Sequence, residues 1–320
     1  MKRFATRSGL AFALVLTLAG VVLAEQDGVS KTAQISAGQH VTILNTDHYL
    51  QQYLDAARNR PATEYAALYA KYVYGPVLKA CGEGGEYYEY GKYNLTRPIA
   101  NLGALARELA ALRRAHFFGR IEAALRKSAR LLPGPDTTVY VLAADPDAAY
   151  IRTDLHGTAG YTFGAGKILL QVAPTADWQE WLPYTVTHEY HHSAWTWKHY
   201  ADQPSWPLLH GILFEGKADV FAHTVFPKQT ATWANTLAPV QEASVWQKMK
   251  PELASTDFRA NDKFLFGREG VPKLAGYTIG FHIVESYIKN HPAATIEEWS
   301  ALNEQQLLDQ SGYVAGTTGR

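Results

Sequence analysis

Apolar residues in the first half of the chain recur at the spacing of a helix. Across residues 46–132 they return at steps of three and four, as in the pairs Tyr49-Leu50 and Tyr53-Leu54, and Pro133-Gly134-Pro135 ends the pattern. This period places apolar side chains on one helical face. The pattern predicts a helical N-terminal part at about 46–132.

After residue 135 the pattern becomes that of strands. Thr138–Leu142, Tyr161–Phe163 and Lys167–Val172 are rich in β-branched and aromatic residues, and each is a predicted strand. Asp177 is placed to cap a helix that begins near Trp178. Helical spacing then dominates towards residue 310.

Helices, a small sheet and helices again predict an α+β fold that is mostly helical. No linker-like segment divides the chain. We therefore expect a single domain over residues 25–320, with a helical part at about 46–132 and a second part at about 136–310.

The N-terminus has the features of a secretory signal peptide over residues 1–24. Lys2, Arg3 and Arg7 precede an apolar stretch, which ends in the small-residue site Val22-Leu23-Ala24. The sequence therefore predicts an exported protein, periplasmic or secreted, and an uncleaved membrane anchor is the alternative. No later stretch has the length and apolarity of a membrane span.

Composition narrows the possible functions. The 320 residues include 30 Lys and Arg and 30 Asp and Glu, so there is no basic excess to neutralise phosphates and we expect no nucleic-acid partner. Cys81 is the only cysteine, so an exported chain has no internal disulfide. Any metal site must then be built from His, Glu and Asp, a donor set that suits zinc.

His188, Glu189 and His192 form the pattern H-E-x-x-H in a predicted helix. Residues four apart lie one turn apart, so the two imidazoles can bind one ion. Glu189 points about 100° away around the helix, where it can act as general base towards a water whose pKa zinc lowers to about 7. This chemistry predicts metal-dependent hydrolysis.

A third metal ligand is expected downstream. Glu215 lies 23 positions after His192 in a second predicted helix, and two His with one Glu form a common catalytic zinc set. Asp219 shares the helical face of Glu215 and is placed to accept the free ring N–H of His188. Two exposed carboxylates are the alternative interpretation.

The predicted strand Lys167–Val172, just ahead of the zinc helix, offers an edge that could pair with a peptide backbone. An ordinary core strand is the alternative.

These motifs resemble those of a known family. His188-Glu189-Tyr190-His191-His192 with Glu215-Gly216-Lys217-Ala218-Asp219 is similar to the gluzincin pattern H-E-x-x-H followed by E-x-x-x-D. With Tyr72-Val73, Phe214 and the segment 276–284, the chain resembles a bacterial family of predicted zinc-dependent proteases that is catalogued as a domain of unknown function. The resemblance implies a zincin-like fold, one Zn²⁺ ion and hydrolysis of peptides or proteins.

Peptide hydrolysis also needs a donor for the oxyanion. In gluzincin topology, the helix that carries Tyr277 and His282 would approach the zinc, so these two residues are the candidates. Their spacing of five keeps them off one face, and we expect only one to serve.

Two other functions stay open. A zincin that has lost catalysis would bind peptides without cutting them, although Glu189 is present. A zinc hydrolase could instead act on a non-protein amide, such as a cell-wall cross-link. The sequence leaves open the oligomeric state, the cleavage preference, endo- or exopeptidase action and a pro-segment at residues 25–45.

Overall fold

The computed structural model describes residues 29–203 and 205–317. The predicted signal peptide, residues 1–24, lies outside the described part of the chain. Within the described part, no helix combines the length and apolarity needed to cross a bilayer.

One five-stranded sheet organises the fold. Its strands are β1 (Ser30–Ser36), β2 (Gln39–Asn45), β3 (Thr137–Ala143), β4 (Thr158–Gly164) and β5 (Lys167–Val172). Their order is β1-β2-β3-β5-β4, with β2, β3 and β5 parallel and the outer strands β1 and β4 antiparallel to their neighbours. The three strands expected from the sequence are therefore present, with β5 at its expected bounds.

The N-terminal hairpin was not expected. β1 and β2 join at Gly38, whose φ of 77° favours glycine. Val41 and Ile43 of β2 are fully buried, and β2 pairs with β3. Residues 30–45 are thus an integral part of the sheet, which argues against a removable pro-segment there.

Fourteen α-helices complete the described chain. The N-terminal half contains α1 (Asp47–Ala57), α2 (Tyr65–Tyr69), α3 (Gly75–Val77), α4 (Tyr88–Gly91), α5 (Leu102–Arg114) and α6 (Phe118–Leu131). The rest are α7 (Ala149–Thr153), α8 (Trp178–His199), α9 (Leu208–Val225), α10 (Pro239–Met249), α11 (Phe258–Phe266), α12 (Ala275–Asn290), α13 (Ile296–Ala301) and α14 (Glu304–Ser311). Helical and strand elements together confirm the mixed, mostly helical class.

Short turns of other helix types lie between these elements. Two are π-helical, at Ala70–Tyr74 and Leu78–Gly82. The 3-10 turns are Ala62–Glu64, Lys92–Leu95, Tyr200–Asp202, Thr232–Asn235 and Lys250–Glu252.

Helix α8 is buried on all sides over its central turns. It packs on β4, β5, α6 and α9, and every residue from Val186 to Thr196 is buried. The helix begins at Trp178 as expected. Asp177 occupies the N-cap position, but its carboxylate contacts His156 and Thr175 rather than a helix N–H.

Two glycines let α9 and α12 pack closely. A Cβ on Gly216 would lie 2.3 Å from the carbonyl carbon of Gly280, and a Cβ on Gly280 would lie 2.2 Å from the carbonyl oxygen of Ile212. Such distances are far inside van der Waals contact, so only glycine fits at this crossing. The crossing sets the position of α9, which carries Glu215.

Candidate metal centre and cavity

Three side chains from α8 and α9 converge on one point. His188 Nε2 lies 3.0 Å from His192 Nε2 and 3.2 Å from Glu215 Oε2, and His192 Nε2 lies 3.4 Å from Glu215 Oε2. Tetrahedral zinc with bonds of about 2.0–2.1 Å separates its ligand atoms by roughly 3.3 Å. The three atoms therefore have the spacing to hold one zinc ion.

Asp219 orients the first of these side chains. Its Oδ1 lies 2.9 Å from Nδ1 of His188, so that nitrogen carries the proton and Nε2 presents its lone pair to the other donors. The Asp219 carboxylate is fully buried and also accepts hydrogen bonds from the Tyr184 hydroxyl (3.2 Å) and from Trp233 Nε1 (2.7 Å). Three donors thus hold the carboxylate that aligns the imidazole.

His192 is positioned by packing. The ring of Phe214, next to Glu215 in α9, stacks on its imidazole with centroids 4.0 Å apart and planes 18° apart. Its Nδ1 is buried and has no hydrogen-bond partner among the described residues. Its Nε2 faces His188 and Glu215, which is the orientation that a metal ligand requires.

Charges around the donors favour a bound cation. Burial would raise the pKa of Glu215, but the neighbouring His192 and His188 hold that pKa well below its usual range, so the carboxylate is ionised. Burial would lower the pKa of His188, but the Asp219 carboxylate outweighs this effect and raises it. With Glu189 also adjacent, three carboxyl groups surround the two imidazoles, and a divalent cation would neutralise this arrangement. Those of Asp219 and Glu189 are buried, and that of Glu215 is partly buried.

Glu189 lies beside the donors, between α8 and β4. Its side chain is buried, and its Oε2 accepts a hydrogen bond of 2.7 Å from the Thr162 hydroxyl. A Cβ on Gly160, two residues earlier in β4, would lie 2.3 Å from Glu189 Cγ, so the carboxylate packs directly on the strand backbone. Burial raises the pKa of Glu189 despite the nearby imidazoles, which suits a group that accepts and then releases a proton.

A cavity of about 750 Å³ opens over this cluster. His188, Glu189, His192 and Glu215 lie on its wall, and residues 158–162 of β4 form one side of it. Most of the remaining wall is apolar and aromatic. The volume is within the range of small-ligand sites.

The strand that borders the cavity is β4, not β5. Lys167–Val172 pairs with β3 on one side and with β4 on the other, so the expectation that its edge could receive a peptide is wrong. The physical reason is the β4–β5 hairpin, which adds β4 as the outer strand. Strand order depends on long-range pairing, which local sequence patterns do not encode.

The two oxyanion candidates occupy different environments. Tyr277 lines the cavity, and its ring lies 6.1 Å from that of Trp233. His282 is buried away from the cavity wall, where its Nδ1 lies 2.9 Å from Glu242 Oε1. The structure therefore brings Tyr277, and not His282, to the cavity.

Sequence reasoning missed Thr162, Tyr184 and Trp233, which contact Glu189 and Asp219. Thr162 lies in a predicted strand, and the alternation of side chains along that strand places it on the same face as Gly160. Trp233 lies in an irregular segment 14 residues after Asp219, where no periodic signal marks it. Contacts of this kind can be identified only from the folded structure.

His188, His192 and Glu215 form a group that could hold a metal ion at the cavity, and two His with one Glu is a donor set that catalytic zinc sites use. The chain belongs to the family described as "Predicted Zn-dependent protease (DUF2268)", which matches residues 117–309. It is also similar to "Uncharacterized protein YjaZ" of Bacillus subtilis (strain 168), with 28% identity over 184 residues, or 57% of this chain and 70% of that protein. No solved structure matches the chain.

Proposed function

We propose that the protein is an exported zinc-dependent peptidase with a zincin-like fold, in which one Zn²⁺ ion is held by His188, His192 and Glu215. The observation that carries the proposal is the convergence of these three donor groups within 3.4 Å of one another, with Glu189 beside them on the wall of one cavity. Membership of a predicted Zn-dependent protease family supports the zinc-dependent peptidase part of this proposal.

The chain's own residues supply proton transfer and orientation. Zinc, when bound, supplies Lewis-acid chemistry that lowers the pKa of a water and polarises a carbonyl. Glu189 accepts the proton as the water attacks the peptide carbonyl, and passes it to the leaving amine. Thr162 holds the Glu189 carboxylate, and Asp219 keeps the lone pair of His188 directed at the site.

Tyr277 is the proposed hydrogen-bond donor to the oxyanion, because its side chain lines the cavity. The substrate is a peptide that pairs with β4, the outer strand of the sheet, in the manner of strand addition. Signal-peptide features in residues 1–24 support export to the periplasm or the medium.

The test compares the zinc-loaded wild type with its Glu189→Gln variant on a mixed peptide library, with products identified by mass spectrometry. Gln cannot accept the proton but should leave the three metal donors intact, and zinc content measured for both proteins checks this. Glu180→Gln is the matched control, because Glu180 is an exposed residue of the same helix.

Cleavage by wild type and Glu180→Gln, but not by Glu189→Gln, is the expected result. No cleavage by a folded, zinc-loaded wild type would refute peptide hydrolysis. Binding of uncut peptides would then favour a binding protein. Release of products from cell-wall material would favour a hydrolase of non-protein amides.

A further inference from the structure

Contacts made by Tyr87 limit the cavity at the C-terminal end of β4. The N–H of Tyr87 donates to the carbonyl oxygen of Phe163 at 3.0 Å. The Tyr87 hydroxyl lies 2.6 Å from Thr196 Oγ1 of α8, and its ring packs edge-on against Phe214 of α9. Tyr87 therefore links the strand to both metal-binding helices.

An ion pair limits the cavity at its other end. Asp154, just before β4, and Lys273, just before α12, both line the cavity, and their side chains form an ion pair of 2.6 Å. The Thr232 hydroxyl also donates to the Asp154 carbonyl oxygen at 3.0 Å. The sheet side and the helical side of the cavity are thus joined here.

With contacts at both ends, the cavity favours the end of a peptide chain over the middle of a long chain. The space of about 750 Å³ between them suits a short peptide or a chain terminus.

The direction of a bound peptide follows from β4. Antiparallel pairing is the more stable arrangement, and β4 runs away from Asp154. A peptide antiparallel to it therefore ends, at its carboxyl terminus, beside Asp154 and Lys273.

Two groups at this end can attract a carboxylate. One is the ammonium group of Lys273, whose charge is shared with Asp154, and the other is the N-terminus of α12, a helix of 16 residues whose dipole is positive there. Leu274 between them has a φ of 62°, a left-handed conformation that is strained for leucine. Such strain is found where function fixes the backbone.

We propose that Lys273 binds the C-terminal carboxylate of the substrate, so that the site acts on the carboxyl ends of short peptides. This inference rests on the proposed peptidase function. The Asp154 carboxylate accepts a hydrogen bond from one of the three N–H groups of the Lys273 ammonium, which leaves two for the substrate. Because the Lys273 and Asp154 side chains are 52% and 40% exposed, their pair is weakly held and can admit a second carboxylate.

The experiment uses zinc-loaded protein and one peptide sequence in three forms: with both ends free, amidated at the carboxyl end, or acetylated at the amino end. Each form is assayed with wild type, Lys273→Met and Lys273→Arg. Lys31→Met is the matched control, because it removes a lysine from a partly exposed ion pair with Glu122 on other elements.

Amidation should lower kcat/KM of the wild type about tenfold or more, mainly through KM, because it removes a charge-assisted contact. Lys273→Met should lower kcat/KM on the free acid by a similar factor. Amidation should then have almost no further effect on this variant, since both changes remove the same interaction. Lys273→Arg and Lys31→Met should keep the preference for the free acid. Acetylation should have little effect in any of the proteins.

Rapid internal cleavage of amidated peptides, or dependence on a free amino end, would overturn the inference. A binding measurement distinguishes failure of this inference from failure of the proposed peptidase function. Zinc-loaded Glu189→Gln should bind a fluorescein-labelled free-acid peptide more tightly than its amide, and Lys273→Met added to this variant should abolish the difference. Equal binding of both forms to Glu189→Gln would reject the role of Lys273, whether or not the wild type cuts peptides.

Discussion

Asp219 Oδ1 lies 2.9 Å from His188 Nδ1, and this contact determines which nitrogen of His188 faces His192 and Glu215. The carboxylate comes from α9, four residues after Glu215, so one turn of one helix supplies both a donor and the group that orients another donor. The position of α9 depends in turn on its glycine contact with α12. The geometry of the site therefore depends on how α9 packs against α12.

Asp219→Asn should weaken zinc binding about 10- to 100-fold, because the amide neither fixes the tautomer of His188 nor raises its basicity. Competition with a chromophoric chelator measures this affinity. Asp309→Asn, an exposed position in α14, is the matched control and should bind zinc as the wild type does. Unchanged affinity in Asp219→Asn would show that the contact does not serve the metal site.

Gly160→Ala should reduce peptidase activity by at least about tenfold while zinc content is retained, because a misplacement near 1 Å can cost that much. The new Cβ would lie 2.3 Å from Glu189 Cγ, and the three heavy atoms nearest to it all belong to Glu189, so the proposed base must move. Activity and bound zinc are measured on the same sample.

Gly119→Ala in α6 is the control for this change, since its Cβ would meet no atom within 4 Å. It should leave activity intact and stabilise the fold by about 0.4–1 kcal/mol, as expected for glycine replaced in a helix. Full activity in Gly160→Ala would contradict the placement of Glu189 against β4.

The sequence was most informative where the signal is local. Helical spacing and the start at Trp178 located α8, and H-E-x-x-H within it named two residues that the structure brings together. Glu215 and Asp219 followed from their own helical spacing of four. These features depend only on residues within a few turns of one another.

Long-range features could not be obtained in this way. β1 has a single buried apolar residue, Ile35, so its strand pattern is weak, and it is defined by pairing with β2. The outer position of β4 and the placement of Tyr277 rather than His282 on the cavity depend on how distant elements pack. Such packing is a property of the whole core.

Stability should fall as pH rises through the range set by Asp47. Burial raises the pKa of this carboxyl from 3.8 to about 6 in the folded protein, despite opposing effects of the Ala143 N–H and Arg113. A folded-state pKa above the unfolded value means that folding favours the protonated form. Ionisation of Asp47 therefore lowers the free energy of unfolding. This loss is absent below about pH 4, grows between pH 4 and 6, and stays constant at about 2–3 kcal/mol above that range.

Asp47→Asn removes the titrating group, so this variant should be more stable than the wild type at pH 7 and similar to it at pH 4. Urea unfolding at a series of pH values measures the difference in unfolding free energy. Asp55→Asn, an exposed position in the same helix, should follow the wild-type curve. A stability difference between Asp47→Asn and wild type that does not change from pH 4 to 7 would show that Asp47 titrates normally despite its burial.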